Sequence, residues 1–516
     1  MESKEILSFC LEKGILLDKD VLNIFSEALD IETSKLVIER IQKQVQKRII
    51  TKKVFDENKE DIDRIFLNLP EEKKKRVESL KIKLGLSISI SKEILESPEI
   101  VKQETLNNFS DIKIISSNIN FNKKIEVSDF VKHFRNRFTE MRKILQEHTE
   151  LNNLVSINKI SENRSFSIIG FVSDKRVTKN KNILLELEDL TGKIVALVNC
   201  NKPDLYKKAD DLTLDSIIGI KCSGNREIVF VNDIIFPEAN IFDRKKSLVE
   251  EYALFTGDMH VGSKNFMEEN FLKFIDYLNG EAKDVDKIKY LFLVGDLISG
   301  VGIYPEQEKE LTIPDIEEQF QKAAELLGKI RKDIKIIIAP GNHDGLRIME
   351  PQPILDEKYA WPLYDLKNVI LTTNPCFVNV GAKKGFSGFN VLLYHGYSFH
   401  YYANNVNYLM KEKAIHAPEK IMAYLLKNRH LAPTHTSTLY FPSEEDHLLI
   451  KQVPDIFFSG HSHKSAVSYY NNILNISSSC WESKTAFQEK MGNEPDFCKV
   501  PMLNLKTREI KILDFE

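Results

Sequence analysis

The second half of this 516-residue chain repeats one pattern five times, in which a short apolar run ends at a turn carrying side chains that can bind a metal ion. The five segments are YALFTGDMH (252–260), KYLFLVGD (289–296), KIIIAPGNHD (335–344), VLLYHG (391–396) and DIFFSGHSH (455–463). Runs of Leu, Ile, Val and Phe like these are typical of strands buried on both faces of a sheet. We therefore predict that this part of the chain builds its core around buried strands.

Two of the intervals between these strands have the periodicity of helices. The segments FMEENFLKFIDYL (266–278) and IEEQFQKAAELLGKIRKD (316–333) carry apolar residues at three- and four-residue spacings. Strand, helix and strand in series predict an α/β layered domain. In such a domain the polar turns gather at the carboxyl ends of neighbouring strands, where these sheets place their binding sites.

The polar residues of the five turns form a mixed set of oxygen and nitrogen ligands. Such a set suits manganese, iron or zinc better than calcium or magnesium. A carboxylate can bridge two ions about 3.5–4 Å apart, and paired ions both activate water and neutralise a departing oxygen, as phosphate-ester hydrolysis requires. The candidate metal ligands are Asp258, His260, Asp296, Asn342, His395, His461 and His463.

Composition excludes several other classes of protein. The formal net charge is −4, so any contact with nucleic acid must be local, metal-assisted or shared with a partner. The six cysteines are scattered without a CxxC pair, which indicates reduced, structural thiols. No apolar run approaches the roughly 18 residues of a membrane span, and Glu2 and Glu5 stand where a signal peptide needs positive charge. We expect a soluble, cytoplasmic protein with no membrane partner.

The amino-terminal part of the chain predicts accessory modules. Residues 1–70 contain amphipathic stretches typical of a small helical domain, and residues 71–125 have the polar, weakly periodic sequence of a flexible linker. Within this linker Gln103, Leu106 and Phe109 resemble the peptide that docks on sliding-clamp proteins, although Ser110 replaces its second aromatic residue. A clamp-binding peptide and a plain polar linker both stay open.

The segment before the five motifs predicts one helix and then a barrel. Apolar residues recur at helical spacing over 126–150, which predicts an amphipathic helix whose apolar face packs on the modules that follow. Residues 151–245 change to short β-rich runs separated by Gly, Asn and Asp turns, including a D-x-T-G turn at 189–192. About five such strands predict a small closed barrel, and their order resembles an oligonucleotide-binding OB-fold.

In this order the five turn motifs resemble the signature of the calcineurin-like metallophosphoesterases. An OB-like barrel directly before GDMHVGS, GDLISGVGIYP, PGNHD, YHG and GHSH resembles, more narrowly, the small subunits of archaeal family D DNA polymerases. The resemblance implies a multidomain α/β fold, with a four-layer metallophosphoesterase α/β sandwich over 250–516 preceded by the OB-fold barrel and the small helical domain. It also implies a proofreading 3′–5′ exonuclease that acts on DNA 3′ ends and partners a large polymerising subunit.

The same resemblance implies a role for each site residue. Two divalent ions are expected, with manganese favoured and iron or zinc as alternatives. His343 would contact the scissile phosphate and help the 3′-oxygen depart, and Asp344 would orient His343. Ser299 replaces an Asp of many relatives, so we expect altered contacts around the ligands and no loss of metal. The ligands would form two sets bridged by Asp296, namely Asp258, His260 and His463 for one ion and Asn342, His395 and His461 for the other.

Other functions within reach of this sequence remain open. A DNA-repair nuclease of the superfamily usually places its phosphoesterase domain first, the reverse of the order here. A protein phosphatase would use the same kinds of ligand. A non-catalytic B-subunit would use the barrel and the phosphoesterase domain as a scaffold, but related B-subunits have mostly lost the metal ligands that this chain keeps.

Overall fold

The computed structural model describes residues 2–18, 21–22, 25, 31–45, 49–50, 112–115, 124–161 and 164–516. The chain divides into two compact units, Met1–Gln103 and Glu104–Glu516. The limits of the predicted helical domain and linker stay a prediction. The candidate clamp-binding residues Gln103, Leu106 and Phe109 lie outside the described residues, so they also stay a prediction.

The described residues of the first unit include two helices and a short strand pair. Helix α1 spans Glu2–Glu12 and α2 spans Ile31–Val45, and strand β1 (Leu16–Leu17) pairs in parallel with β2 (Ile49–Ile50). The helices are amphipathic, and each buries part of its apolar face. Their fully buried residues include Ile6, Cys10, Val37, Ile38 and Ile41.

The second unit includes a closed five-stranded barrel, as the sequence predicts. Its strands are β4 (Arg164–Val177), β5 (Ile183–Asp189), β6 (Gly192–Val198), β7 (Ile217–Gly224) and β8 (Ile228–Ile235), with helix α4 (Pro203–Asp210) after β6. The strands close in the order β4-β5-β6-β8-β7, and all neighbours are antiparallel except β6 and β8. Buried residues alternate with less buried ones along β5 and β6, because a strand points successive side chains to opposite faces.

Helix α3 (Val127–Gln146) is the predicted amphipathic helix. At its start Asp129 Oδ2 accepts a hydrogen bond from the main-chain N–H of Glu126 (3.0 Å), which satisfies a donor that the helix itself leaves unpaired. Its apolar face packs against the barrel, where Phe138 and Leu145 share a core with Ile169 and Ile217. The expectation that this face lies on the modules that follow is confirmed.

Two six-stranded sheets dominate the remainder of the second unit. The strands of the first are β9 (Tyr252–Gly257), β10 (Ile288–Val294), β11 (Lys335–Ala339), β12 (Val369–Leu371), β18 (Lys499–Asn504) and β19 (Ile510–Asp514). Those of the second are β3 (Ile112–Ile114), β13 (Cys376–Val380), β14 (Phe389–Tyr394), β15 (Ile456–Ser459), β16 (Ala466–Tyr470) and β17 (Ile473–Ser477). The first sheet has the order β12-β11-β10-β9-β18-β19 and the second β16-β17-β15-β14-β13-β3.

The prediction of a linker over 71–125 is wrong at residues 112–114. These residues form β3, which pairs antiparallel with β13 at the edge of the second sheet. Ile112 is buried and belongs to the core between the two sheets, while Lys113 is exposed. The sequence Ile-Lys-Ile alternates as a strand should, but three residues are too few to give a detectable periodicity.

The two sheets share an apolar core through their facing sides. Phe255 of β9 stacks on Phe292 of β10 with ring centroids 5.2 Å apart, and it meets Phe458 of β15 edge-on at 5.0 Å. Successive residues on the same strands, such as Leu254 and Leu291, face a second core. This alternation explains the long apolar runs in the sequence, because each strand is covered on both faces.

Helices cover the outer side of each sheet. The first sheet packs on α5 (Glu268–Asn279), α6 (Ile316–Gly328) and α7 (Glu357–Tyr364), and the second on α8 (Phe399–Asn405), α9 (Asn407–Lys411) and α10 (Pro418–Asn428). A last short helix, α11, spans Ala486–Met491. Among the described residues, no helix combines the length and the apolar character that a bilayer crossing requires.

Candidate metal centre

The candidate ligands lie in turns directly after five strands of the two sheets. In the first sheet these strands are β9, β10 and β11, and in the second they are β14 and β15. The strand ends meet one another: the N–H of Asp258 donates to the carbonyl of Gly295 (3.0 Å), and the N–H of His461 donates to Asp258 Oδ1 (3.0 Å). The second of these bonds joins the two sheets at their carboxyl edges, so turns distant in sequence come together.

Several ligand residues have an unusual backbone conformation. Left-handed φ angles between 47° and 66° occur at Asp258, His260, Asp296, His461 and His463. For residues with a side chain this conformation costs on the order of 1–2 kcal/mol each. Strain of this kind persists only where the surrounding structure imposes it, and it concentrates at functional sites.

Glycines before two ligands allow the turns to approach closely. A Cβ atom on Gly341 would lie 2.2 Å from Asp296 Oδ1, and one on Gly460 would lie 2.6 Å from Asp258 Oδ2. Any larger residue would therefore displace one of the carboxylates. This packing gives a physical reason for the glycines of the GNHD and GHSH motifs.

The first ligand set, Asp258, His260 and His463, is buried. One ligand atom from each residue lies within 4.8 Å of the others. His463 Nε2 is 3.2 Å from His260 Nε2 and 3.5 Å from Asp258 Oδ1. Three potential ligands from two different sheets thus surround one point.

The second ligand set, Asn342, His395 and His461, lies beside the first. His395 Nε2 is 3.0 Å from Asn342 Oδ1 and 3.2 Å from His461 Nδ1. Asp296 stands between the two sets, because its Oδ2 is 3.3 Å from His395 Nε2 and 3.9 Å from His260 Nε2. All seven candidate ligands are therefore brought together, with the carboxylate of Asp296 shared.

These separations fit divalent ions. Two nitrogens that bind one ion at about 2.0–2.1 Å stand roughly 3 Å apart. The nitrogens of the His260–His463 and His395–His461 pairs are 3.2 Å apart. Lone pairs on neighbouring ring nitrogens repel unless a proton or a cation lies between them, so the donor set suits a positively charged guest.

The electrostatics keep three of the candidate ligands, Asp296, His260 and His461, in the forms that bind metals. Burial alone would raise the pKa of Asp296, but His395 and His343 outweigh it and hold this pKa well below its ordinary value. Burial and a neighbouring histidine lower the pKa of His260 and of His461 well below the ordinary value. An ionised carboxylate and neutral imidazoles are the required ligand states.

His395 behaves differently from those two histidines. Burial opposes its charged form, but the carboxylate of Asp296 outweighs burial and raises the pKa of His395 to about 9. A proton and a divalent cation therefore compete for this ring, because both are stabilised by the same carboxylate.

Comparison with known proteins identifies the family. Residues 253–468 match the profile of the DNA polymerase alpha/epsilon B-subunit family. The DNA polymerase II small subunit of Methanothermobacter thermautotrophicus is 36% identical over 398 residues, which are 76% of this chain and 80% of that protein. The chain belongs to the DNA polymerase II small subunit family.

Another relative in the family is longer than this chain. The small subunit of Pyrococcus furiosus is 36% identical over 406 residues, and the match covers 76% of this chain but only 64% of that protein. Among solved structures, a novel archaeal phosphodiesterase aligns at 13% identity over 51% of this chain and 98% of its own, with a TM-score of 0.26. Vacuolar protein sorting 29 of Cryptosporidium parvum aligns at 16% identity over 51% and 96%, with a TM-score of 0.25. Scores this low say nothing further about the chain.

His343 lies at the mouth of the site, but Asp344 does not contact its ring as the resemblance implies. His343 Nδ1 donates instead to the main-chain carbonyl of Ser299 (2.8 Å). The Asp344 carboxylate accepts from the N–H groups of Gly341 (2.7 Å) and Ile298 (3.0 Å). Asp344 therefore shapes the turn, and the orientation of His343 depends on the backbone of Ser299.

The cleft beside the ligands also contains residues that sequence reasoning did not assign. It encloses about 190 Å³, and its walls include His400, Tyr304, Glu482 and Gln488. Gln488 Nε2 lies 2.9 Å from His463 Nδ1, and Ser263 Oγ donates to Glu482 Oε1 (2.6 Å). None of these follows a strand in one of the five motifs, so no spacing in the sequence singles them out.

Proposed function

We propose that this chain is the exonuclease-bearing small subunit of a family D DNA polymerase. It hydrolyses phosphodiester bonds at DNA 3′ ends with two divalent ions, manganese being favoured, and works with a large polymerising subunit. In this proposal the two sheets and their outer helices are the four-layer phosphoesterase sandwich, and the barrel is the OB-fold. The observation that carries it is the convergence of two ligand sets around one shared carboxylate, Asp296.

The chemistry follows from the ligand sets and from His343. Two divalent ions held by Asp296 and the two sets would supply positive charge that polarises the phosphate and activates water. Because Nδ1 of His343 donates to the Ser299 carbonyl, its other nitrogen, Nε2, is left to exchange a proton with substrate. His343 is also more accessible than Asp296, with 17% against 2% of its side chain exposed.

The reaction consumes one water molecule for each nucleotide released. A water molecule loses one proton to solvent as its oxygen bonds to phosphorus, the bond from phosphorus to the 3′-oxygen breaks, and His343 Nε2 gives its proton to that departing oxygen. The products are a 5′-mononucleotide and a strand shortened by one nucleotide with a 3′-hydroxyl. His343 recovers its proton from solvent, so no further reactant is needed.

Digestion of a labelled primer with a mismatched 3′ end tests the proposal. The full chain, alone and with the large subunit, should release 3′ nucleotides in Mn²⁺ and not in EDTA, faster from the mismatched end because frayed bases are cheaper to unpair. His343→Ala should reduce the rate by about 10²–10⁴-fold, the usual contribution of a proton donor, while Mn²⁺ stays bound. His148→Ala is a matched control outside the site.

Three outcomes would contradict the proposal. Wild-type activity of His343→Ala would remove its assigned role. Bound Mn²⁺ without cleavage of DNA, alone or in the complex, would leave a structural B-subunit. Hydrolysis of phosphoproteins with intact DNA would indicate a phosphatase.

A further inference from the structure

Two buried amides outside the five motifs join the turns that carry the second ligand set. Gln352 Nε2 donates to the carbonyls of Gly341 (3.0 Å) and Arg347 (3.1 Å), on either side of the GNHD turn. Gln352 Oε1 accepts from Asn374 Nδ2 (2.8 Å), and Asn374 Oδ1 accepts from the main-chain N–H of His395 (2.9 Å). Gln352 is 2% exposed and Asn374 is fully buried.

We propose that Gln352 and Asn374 are positioning residues that fix the distance between Asn342 and His395, and so determine the affinity of the second ligand set for its ion. The inference rests on the proposed function, since it concerns the metal centre described there. Neither residue touches the ion or the substrate. We call the chain of hydrogen bonds from the Gly341 carbonyl through Gln352 and Asn374 to the His395 N–H the amide relay.

The amide relay can run in only one direction. At one end stand two main-chain carbonyls, which can only accept, and at the other the N–H of His395, which can only donate. Each amide must therefore present its NH₂ group toward Gly341 and its oxygen toward His395. A main-chain bridge holds the same pair, because the N–H of Gln352 donates to the Asn374 carbonyl (2.6 Å) and that of Asn374 donates to the Gln352 carbonyl (3.2 Å).

The relay acts on the backbone atoms that set the ligand geometry. Gly341 directly precedes Asn342 and has no space for a Cβ against Asp296, so its turn cannot shift toward Asp296. The far end of the relay holds His395 by its own N–H. The side chains carried by these two backbone points meet at 3.0 Å, between Asn342 Oδ1 and His395 Nε2. A break in the relay therefore widens this contact before it affects any other ligand pair.

Neutral amides are suited to this task. A carboxylate in place of Gln352 would bury a charge and would lack donors for the two carbonyls that Gln352 satisfies. The contacts around a ligand typically change metal affinity by about 10–100-fold when they are removed. Gln352 and Asn374 donate to and accept from Gly341, Arg347, His395 and each other, and not from Asp258, His260 or His463, so the first ligand set should keep its affinity.

Titration of the full chain with Mn²⁺, with the unbound ion counted by electron paramagnetic resonance, tests the inference without an activity assay. Wild type should bind two ions. Gln352→Leu and Asn374→Leu should each weaken one ion by about 10–100-fold and leave the other unchanged. The double variant should lose little more than either single one, because both substitutions break the same chain of hydrogen bonds.

Asn368→Leu is the matched control. Asn368 is also a buried amide, its Nδ2 donates to the Ile334 carbonyl (3.0 Å), and it lies at the amino end of β12, away from the ligand turns. It should lower the thermal unfolding temperature of the metal-free protein as Gln352→Leu does, but leave both Mn²⁺ affinities unchanged. Where Gln352→Leu fails to fold, Gln352→Glu keeps the shape and places an oxygen against the two carbonyls, and it should weaken the same ion.

Five results are decisive. Wild-type affinity for both ions in the relay variants would overturn the inference, and so would an equal loss in Asn368→Leu or additive losses in the double variant. No Mn²⁺ bound by wild type would overturn the metal centre and the inference together. Two ions bound by wild type without DNA cleavage, with one weakened by Gln352→Leu, would support the inference while the exonuclease proposal fails.

Discussion

Two clusters of buried charged side chains lie in the second unit, and they are built on opposite principles. The Asp446 cluster consists of His133 and Arg137 from α3 together with His430 and Asp446. Asp446 Oδ2 accepts from Arg137 Nε and lies 2.9 Å from His430 Nε2, and Arg137 Nη1 donates to the Pro433 carbonyl (2.9 Å). In the metal centre, by contrast, ring nitrogens face other ring nitrogens.

The two clusters differ in whether their short contacts pair a donor with an acceptor. In the Asp446 cluster the short contacts join a donor to an acceptor, and they tie α3 to the segment around residues 430–446. In the candidate metal centre, potential acceptors converge on common points, and five of the seven ligand residues have a left-handed backbone. A buried polar cluster whose groups pair with one another stabilises the fold, whereas converging acceptors are what the proposed metal site requires.

Asp296→Asn should break the metal centre with little cost to folding. The loss of the shared charge should weaken Mn²⁺ binding at both sets by more than the roughly 100-fold that outer contacts contribute, and hydrolysis should fall about 10³-fold. The free energy of unfolding should change by only about 1 kcal/mol, because the amide oxygen can still accept from the His343 N–H (2.8 Å). Asp333→Asn, an exposed carboxylate, is the control, and retained Mn²⁺ affinity would refute the bridging role of Asp296.

Asp446→Ala should have the reverse effect. It leaves the guanidinium of Arg137 buried without its carboxylate, which typically costs about 3–5 kcal/mol, and Mn²⁺ affinity should not change. Urea unfolding followed by tryptophan fluorescence measures this loss in the second unit, because Trp361 and Trp481 are the two tryptophans of the chain.

A neighbouring ion pair provides the control for that experiment. Glu445→Ala removes an exposed carboxylate that lies 2.8 Å from Lys451 Nζ, and it should cost less than about 1 kcal/mol. Equal losses of unfolding free energy in Asp446→Ala and Glu445→Ala would show that breaking the buried pair costs no more than breaking the exposed one.

Acid should destabilise the Asp446 cluster through His430. Burial and Arg137 lower the pKa of His430 to about 4 in the folded protein, whereas an unfolded histidine has a pKa near 6.5. As the pH falls, the unfolded chain therefore binds a proton on this histidine before the folded chain does. The contribution of neutral His430 to the free energy of unfolding is present above about pH 6.5 and is lost as the pH falls toward 4, by about 3 kcal/mol in total. Burial opposes the charge of Asp446, but Arg137 holds the pKa of Asp446 well below its ordinary value, so its own contribution is lost only below about pH 4.

The free energy of unfolding of wild type and His430→Asn, measured in EDTA from pH 7.5 to 4, checks this expectation. The variant should lose less stability over that range than wild type. Parallel plots of unfolding free energy against pH for the two proteins would show that folding does not lower the pKa of His430.

Ser299→Ala should have the smallest effect. The contact to His343 comes from the main-chain carbonyl of Ser299, which alanine keeps. The rate of 3′ digestion should change by less than about threefold, which is under 1 kcal/mol of transition-state stabilisation. A loss as large as that of His343→Ala would mean that the Ser299 hydroxyl takes part directly.

The strands, and the turns that bring the candidate ligands together, can be predicted from the sequence because their signals are local. Each of the five strands is a continuous apolar run, and the ligands follow within a few residues, as Asp258 follows Gly257. The closed barrel is predicted for a similar reason, since its strands alternate and its turns carry Asp, Thr and Gly. In these segments hydrophobic periodicity and turn-forming residues are enough to predict the strands.

The remainder depends on contacts that leave no mark on residue type. The group behind His343 is a backbone carbonyl, which residue type does not reveal, whereas the family resemblance implies Asp344. Gln352 and Asn374 are single polar residues in irregular segments, and only the folded chain shows that they meet. Strand β3 is predicted as linker because three residues carry too little periodicity.

That short strand has a practical consequence for the fold. While Ile112–Ile114 is in place, its hydrogen bonds occupy one side of β13 (Cys376–Val380). A shortened protein that starts after residue 115 would expose that side of β13, and unoccupied strand edges recruit other chains. Such a protein should self-associate even though every ligand residue is present, so the preparation used for metal and nuclease measurements should retain residues 112–114.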